Sequence, residues 1–387
     1  MPIAKEWRSW SASGHYHLST ANLSLAMTAL DIPDRRLAGF LVALGVLLGL
    51  PAPGGAGPPS AAAPQPAGAA VVKTLPVPLP GGEGGIGFDD LGFAPALGKL
   101  LVPAGRTGNL DLIDPASRQI VPIAGFSSQR SFVQGHGEGT TSADFGRGLI
   151  FATDRTALKL VVIDPAAKAV VARASLAGSP DYVRWVAPAG EIWVTQPDKD
   201  RIEIFALPAS GPPVPAHKEF IATPGGPESL VIDAAHNRAY THLWKETTLA
   251  IDVKTRAIVA HWPNGCEGSR GIALDAQRGL LFAGCAEGKA VVLDLQHDGA
   301  VRDTLSAGAG VDIIDYNPRL GHLYLPGGKS ETMAILGVSK AGKLSLLATV
   351  KTARAAHCVV ADNQHQAWVC DPSHGRLLLV DDRYPAQ

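Results

Sequence analysis

The stretches IDPASRQIV (113–121), IDPAAKAVV (163–171) and IDVKTRAIV (251–259) repeat one pattern, and this pattern decides the fold. In each copy an apolar run ends in an Asp that can hydrogen-bond to the backbone of the following turn, and a β-branched run then returns. Self-similarity at a period of about 40–50 residues is typical of solenoids and propellers. The repeat therefore predicts a series of similar β-units.

Each copy belongs to a longer unit of four short strands. The first strands of successive units read DDLGFA (89–94), TTSADF (140–145), PDYVRWV (180–186), PESLVID (227–233), SRGIALD (269–275), VDIIDYN (311–317) and AHCVVAD (356–362). The seventh unit reaches Gln387 before a fourth strand, and VVKTLPVPL (71–79) can supply that strand. A strand from the other end of the chain would close the ring and leave no unpaired edge.

We therefore predict an all-β fold over residues 71–387, a seven-bladed β-propeller whose last blade is completed by an N-terminal strand. The composition agrees, because 43 Gly and 30 Pro punctuate a chain that is 46% apolar. Most second strands carry an aromatic side chain at one position, which we interpret as packing between blades rather than as a stacking site for bases or sugars. This aromatic column consists of Phe151, Trp193, Tyr240, Phe282, Tyr324 and Trp368.

The first seventy residues follow a different pattern. Arg35 and Arg36 precede the apolar run LAGFLVALGVLLGL (37–50), which is too short to span a bilayer and has the length of a signal-peptide hydrophobic region. We predict a signal-peptide region at 35–56, a Pro/Gly/Ala-rich linker at 57–70, and an unstructured or mis-assigned leader at 1–34, since Met27 could be the true start. The expected mature protein is periplasmic or secreted, monomeric and without a transmembrane span.

Four cysteines point to an oxidising compartment. Cys266 and Cys285 bracket the first hairpin of the fifth unit, and Cys358 and Cys370 bracket that of the seventh. Because these units are not ring neighbours, pairing within each unit is favoured over crossed pairing. We predict the disulfides Cys266–Cys285 and Cys358–Cys370, which would be rare in a reducing compartment.

The repeated blade resembles the YVTN β-propeller repeat family, in its exported seven-bladed branch. The resemblance covers residues 71–387 and rests on an apolar-aromatic strand, a short turn and the Ile-Asp-turn-Val-Val element. No second strand carries the Tyr-Val-Thr-Asn string intact; ATD, VTQ, THL and LPG stand in its place. The resemblance implies a ring that binds a ligand or a partner.

In such a ring the residue that opens each first strand faces the mouth of the central channel. Aligning the units on the Asp or Asn that ends most first strands, with Asp144 used in the second unit, gives one column. Its members are Asp89, Gly139, Asp181, Glu228, Arg270, Asp312 and His357. The loop QGHGEG (134–139) adds His136 and Glu138. We expect these ionisable residues to form a ligand-binding site.

Three roles for the column are open. The charges can simply be solvated or hold the blades together. Ca²⁺ can bind the carboxylates of Asp89, Asp181, Glu228 and Asp312, since it prefers hard oxygen ligands. An organic ligand can be held by Arg270, His357 and the acids, since convergent polar groups in a concave site are the default binding pocket.

Three classes of function follow. The first is a module that binds a small ligand, a glycan or a protein. The second is an enzyme similar to propeller lactonases, which would use a metal-bound water. The third is nucleic-acid binding, which is disfavoured because 34 basic residues face 35 acidic ones and the pI is about 6.9. A local basic patch of Arg130, Arg184 and Arg270 is the form it could take.

Overall fold

The computed structural model describes residues 72–387 except residue 134. The predictions for residues 1–34, 35–56 and 57–70 therefore lie outside the described residues. The described part contains 28 β-strands and two one-turn 3₁₀-helices, Pro197–Lys199 and Pro372–His374. No helix in this part is long and apolar enough to cross a membrane.

The strands form seven four-stranded antiparallel sheets, which are the blades of a β-propeller. Strand β1 (Thr74–Pro78) belongs to blade 7. Blade 1 consists of β2 (Gly92–Ala94), β3 (Lys99–Pro103), β4 (Asn109–Ile113) and β5 (Ile120–Ala124). Blade 2 consists of β6 (Thr140–Gly146), β7 (Leu149–Asp154), β8 (Lys159–Asp164) and β9 (Ala169–Ser175). Blade 3 consists of β10 (Val183–Val186), β11 (Glu191–Gln196), β12 (Arg201–Ala206) and β13 (Ala216–Ala222).

The remaining blades have the same order. Blade 4 consists of β14 (Val231–Asp233), β15 (Arg238–His242), β16 (Thr247–Asp252) and β17 (Ile258–Pro263). Blade 5 consists of β18 (Ser269–Asp275), β19 (Leu280–Cys285), β20 (Lys289–Asp294) and β21 (Ala300–Ser306). Blade 6 consists of β22 (Asp315–Asn317), β23 (His322–Gly327), β24 (Thr332–Val338) and β25 (Leu344–Lys351). Blade 7 consists of β26 (Val359–Ala361), β27 (Gln366–Asp371), β28 (Arg376–Asp381) and then β1.

The ring is closed by the pairing of β1 with β28. The two strands are antiparallel, in a register that runs from Thr74 opposite Val380 to Pro78 opposite Arg376. The first strands also contact one another in sequence around the ring, and β26 returns to β2. The predicted seven-bladed fold and its closure by an N-terminal strand are confirmed.

The repeated phrase forms the turn between the third and fourth strands of blades 1, 2 and 4. The Asp at the end of the third strand, or directly after it, accepts hydrogen bonds from backbone N–H groups of the turn. Asp114 accepts one from Ser117 at 2.8 Å, and Asp164 accepts one from Ala166 at 2.9 Å. The Asp in this phrase therefore satisfies the backbone donors of a tight turn, which explains why it recurs.

The interior lies between the blades. The six residues of the aromatic column are buried, and each lies on the second strand of its blade. The prediction that they pack as core is confirmed. Both predicted cysteine pairs also lie at disulfide distance, with Cα–Cα separations of 5.3 Å for Cys266–Cys285 and 5.6 Å for Cys358–Cys370.

The closing strand gives a direct test of ring closure. Val77 is 8% exposed and lies opposite Leu377, whereas Leu75 of the same strand is 43% exposed. We expect Val77→Asp to lower the free energy of unfolding by about 3 kcal/mol, because it buries an unpaired carboxylate. Leu75→Asp is the matched control, with an expected loss below about 1 kcal/mol. Equal losses in urea unfolding of the two variants would show that closure does not depend on this contact.

A buried carboxyl makes stability depend on pH. Asp111 of β4 is fully buried, neither of its carboxyl oxygens has a hydrogen-bond partner, and burial raises its pKa to about 7. The folded state therefore binds the extra proton, and stability falls as pH rises from about 4 to about 7. Asp111→Asn removes this titration.

Relative to Asp111→Asn, the wild type is expected to lose about 2–4 kcal/mol of stability between pH 4 and pH 8. Urea unfolding of both proteins across this range measures the difference. A gap between the two proteins that stays constant over the range would contradict the expected protonation of Asp111.

Candidate functional site

The residues that we expect at the mouth of the central channel share one position in the strand register. In each blade one residue of the first strand pairs with the aromatic-column position of the second strand, as Arg184 pairs with Trp193. In blade 1 this second-strand position is held by Leu101. The residue three places before this first-strand residue lies near the start of the first strand, and it does so at the same end in every blade. These seven residues are Asp89, Thr141, Asp181, Glu228, Arg270, Asp312 and His357.

Blade 2 departs from the predicted column, which has Gly139 at this position. The prediction takes Asp144 as the residue that ends the first strand. In the structure β6 ends at Gly146, which pairs with Leu149, so Asp144 lies two residues before the strand end. The expected position is therefore wrong by two residues, and Thr141 stands where Gly139 was expected.

Arg155 joins two of the column acids. Its Nη2 atom lies 2.9 Å from Oδ2 of Asp89 and 2.7 Å from Oδ1 of Asp181. It also donates from Nε to the carbonyl of Pro180 at 2.8 Å. Arg155 follows β7 directly and belongs to no first strand, so aligning first strands could not find it. Its signal in the sequence is its place straight after ATD, where the second strand ends at the same mouth.

The two acids on Arg155 differ in their titration. Burial would raise the pKa of Asp89, but the charges of His136 and Arg155 outweigh burial and lower it. Burial raises the pKa of Asp181 well above its usual range, and the negative charges of Asp89 and Glu228 add to this. Asp89 is therefore the ionised member of the pair, and Asp181 is the one that holds a proton more readily.

His136 and His357 converge on Asp312. The Nε2 atom of His136 lies 4.0 Å from Oδ2 of Asp312, and the Nε2 atom of His357 lies 3.9 Å from the same oxygen. The centroids of the two imidazole rings are 5.6 Å apart. On its other side His136 presents Nδ1 to Oδ2 of Asp89 at 3.0 Å, and the charge of Asp89 raises the pKa of His136 to about 9.

Glu228, Arg270 and Trp244 form the other side of the mouth. The Nε atom of Arg270 lies 3.4 Å from Oε1 of Glu228, and the indole N–H of Trp244 donates to Oε2 of Glu228. Burial raises the pKa of Glu228 to about 7. Trp244 follows β15 and lies outside the first strands, so the column alignment could not find it. Trp244 is 42% exposed.

Glu138 does not join this cluster. It is half-buried in the loop that carries His136, and it forms no hydrogen bond or ion pair with another described residue. All the other predicted site residues form at least one polar contact at the mouth. The loop is therefore represented in the cluster by His136 alone.

A second layer of charge, which the sequence did not indicate, belongs to the same first strands. Asp90 receives Nη1 of Arg184 at 2.6 Å and Nη2 at 3.1 Å, and Oγ of Ser142 donates to it at 2.6 Å. These three residues come from blades 1, 3 and 2, so the contact ties three first strands together. Arg184 is thereby neutralised inside the ring and does not contribute to the expected basic patch with Arg130 and Arg270.

Two further acids of this layer bind the backbone of the next blade. Asp144 accepts the N–H of Trp185 at 2.7 Å, and Asp315 accepts the N–H of Ala361 at 2.7 Å. Burial raises the pKa of Asp144, and it raises that of Asp315 to about 6. These carboxylates hold neighbouring blades at a fixed spacing.

The expected Ca²⁺ ligands are differently engaged. Asp89 and Asp181 share Arg155, and Glu228 faces Arg270, so three of the four carboxyl groups already contact an arginine. Within the described residues three groups of side chains could hold a metal ion, and two of them contain disulfide-paired cysteines. The third group is His136, Asp312 and His357.

The contact between Trp244 and Glu228 predicts a fluorescence signal. As pH rises through about 7, Glu228 loses its proton, and the carboxylate charge changes beside the indole N–H. We expect the tryptophan emission of the wild type to titrate with a midpoint near pH 7. Glu228→Gln should abolish this transition, and Trp244→Phe should remove the emission that reports it. A transition that survives in Glu228→Gln would assign the titration to another group.

No protein-family model and no curated protein matches the chain. Solved structures show similar folds. A chain of the crystal structure of the mitotic checkpoint complex is similar with a TM-score of 0.65 at 12% identity, over 88% of this chain and 99% of that chain. Kuenenia stuttgartiensis hydrazine synthase is similar with a TM-score of 0.62 at 11% identity, over 78% of this chain and 96% of that chain. At such identities the likeness concerns the β-propeller fold alone.

Proposed function

We propose that the protein is a binding module that holds a small polyhydroxylated ligand, the class that includes sugars, at the mouth of its central channel. One observation carries this proposal: an exposed tryptophan, Trp244, is hydrogen-bonded to the carboxylate of Glu228 and lies beside Arg270. An indole face can cover the C–H face of a sugar ring, while the adjacent carboxylate and guanidinium take its hydroxyl groups.

The position of Trp244 supports a role in binding. An exposed aromatic ring beside convergent charged groups offers a ligand both an apolar face and polar partners. Among the described residues the exposed large apolar side chains include only two aromatic ones, Trp244 and Phe220. The ring is also held in place, because a Cβ atom at Gly226 would lie only 3.1 Å from the indole. A ligand would thus meet a platform that needs little ordering on binding.

The charge balance of the mouth favours a neutral polar ligand over a strongly charged one. Arg155 is shared by Asp89 and Asp181, and Arg270 faces Glu228. Because the opposite charges already neutralise one another, a highly charged ligand would have to displace an internal ion pair. Hydroxyl groups can instead join these groups without separating them, since each hydroxyl both donates and accepts.

We place this module outside the cytoplasm, as a monomer. Support comes from the two cysteine pairs at disulfide distance, which suit an oxidising compartment, and from the signal-like run at 35–56. The resemblance to exported YVTN propellers agrees with a binding role.

The proposal is tested by titrating the protein with glucose, N-acetylglucosamine, gluconate and glucono-lactone. Binding is followed by tryptophan emission and by calorimetry. For the compound that binds, Trp244→Ala and Glu228→Gln are each expected to weaken binding by about tenfold or more, which corresponds to at least about 1.4 kcal/mol. Trp262→Phe is the control. Trp262 lies in the fourth strand of blade 4, where its ring stacks on that of Tyr240 in the second strand.

Absence of binding by all four compounds would overturn the assignment to polyhydroxylated ligands. Binding that is unchanged in both mouth variants would overturn the assignment to this site. Turnover of glucono-lactone that is lost in the same variants would favour the hydrolase alternative over a binding module.

A further inference from the structure

The side chains of His136, Asp312 and His357 enter the mouth from three separate connections. His136 lies between β5 and β6, Asp312 between β21 and β22, and His357 between β25 and β26. Their nearest ligand atoms all lie within 4.8 Å of one another. Two imidazoles and one carboxylate from distant parts of the chain therefore meet in one small volume.

The backbone fixes these three residues relative to one another. The N–H of Ile313 donates to the carbonyl of His357 at 2.9 Å, which ties the segment of Asp312 to that of His357. The loop of His136 lies directly on Gly87, where a Cβ atom would overlap the carbonyl of Gly135. Sites that bind metals use side chains held by such rigid surroundings.

In each of the two histidines the Nδ1 atom faces an oxygen. Nδ1 of His136 faces Oδ2 of Asp89 at 3.0 Å, and Nδ1 of His357 lies 2.6 Å from the carbonyl of Ala355. In metal sites the ligating histidine usually presents its second nitrogen to a carboxylate or a backbone carbonyl, which fixes the tautomer. Here Nε2 of each ring is the nitrogen on the side of Asp312.

The Nε2 side of the rings is surrounded by oxygen. Nε2 of His357 lies 3.1 Å from the carbonyl of Phe88 as well as 3.9 Å from Asp312, and Nε2 of His136 lies 4.0 Å from Asp312. A cation between the two Nε2 atoms and Asp312 would displace the proton from Nε2 of His136, since metal binding releases protons from its ligands.

We propose that His136, Asp312 and His357 bind a first-row transition-metal dication, for which Zn²⁺ and Co²⁺ are the probes. Two imidazoles and one carboxylate with open positions suit such metals, whereas Ca²⁺ prefers six to eight oxygen ligands. Ligands bound at about 2.0–2.2 Å lie about 3.0–3.5 Å apart. The ligand atoms of the three side chains lie up to 4.8 Å apart, so they have to approach one another by up to about 1–2 Å. The carbonyl of Phe88 is a further oxygen beside the three side chains.

The test uses the full chain with His15→Ala and His17→Ala, so that the His-x-His sequence near the start adds no second site. Calorimetry after chelation is expected to give one Zn²⁺ per chain. Visible absorption of the Co²⁺ form should indicate nitrogen and oxygen ligands. His136→Ala, His357→Ala and Asp312→Ala are each expected to weaken Zn²⁺ binding by at least about 100-fold.

His374→Ala is the matched control, because His374 lies 2.9 Å from Asp371 on the surface and is a histidine–carboxylate pair of the same kind outside the mouth. Its Zn²⁺ affinity is expected to equal that of the parent chain. If a mouth variant does not fold, as judged by thermal unfolding without metal, His136→Gln and His357→Gln take its place. Zn²⁺ binding that the mouth variants leave unchanged would overturn the proposal, as would absence of binding or Ca²⁺ binding of equal strength.

Discussion

The pairing of β1 with β28 is the constraint on which the rest of the structure depends. It joins residues near the two ends of the described chain through five residue pairs. Without it, blade 7 would expose the edge of β28, and the first strands would not return to their starting point. Because the ring closes, residues as far apart in the chain as Asp89 and His357 belong to one cluster of ionisable side chains. The charged mouth is thus a product of closure, although none of its side chains lies on the closing strand.

Closure also brings many ionisable groups into a region of low solvent access, where they form ion pairs with one another. Asp90 and Arg184 neutralise each other across three blades, and Arg155 serves two acids at once. Such buried pairs contribute little net stability compared with apolar packing, yet removal of one partner leaves an uncompensated charge. We therefore attribute to them a role in fixing which first strands are neighbours, and in holding the mouth residues at set distances.

Because the sequence units repeat, the fold could be predicted from the sequence, whereas the candidate site could be predicted only in part. Strand order, blade count and the closing strand follow from units that each carry the same turn and the same aromatic position. The column of ionisable residues follows from the same alignment except in blade 2, where Asp144 lies two residues before the strand end. The alignment did not predict Arg155 and Trp244, because they lie just beyond second strands and the alignment compares first strands. The layer of Asp90, Asp144, Arg184 and Asp315 was not predicted because the seven units do not share one residue type there. The position that holds Asp144, Arg184 and Asp315 holds Gly, Val or Ala in the other blades.

The fold alone does not decide the function, since similar rings occur in a mitotic checkpoint assembly and in a hydrazine synthase. The role of the mouth has to be inferred from its own side chains, and charges on one side of it affect pKa values on the other side. Burial is the main reason that the pKa of Glu228 is raised to about 7, and the negative charge of Asp312 adds to it. A dication bound at Asp312 would offset that charge and favour the ionised form of Glu228, which is the form that accepts hydrogen bonds on both oxygens. A metal ion on one side of the mouth would therefore strengthen the polar ligand site on the other side.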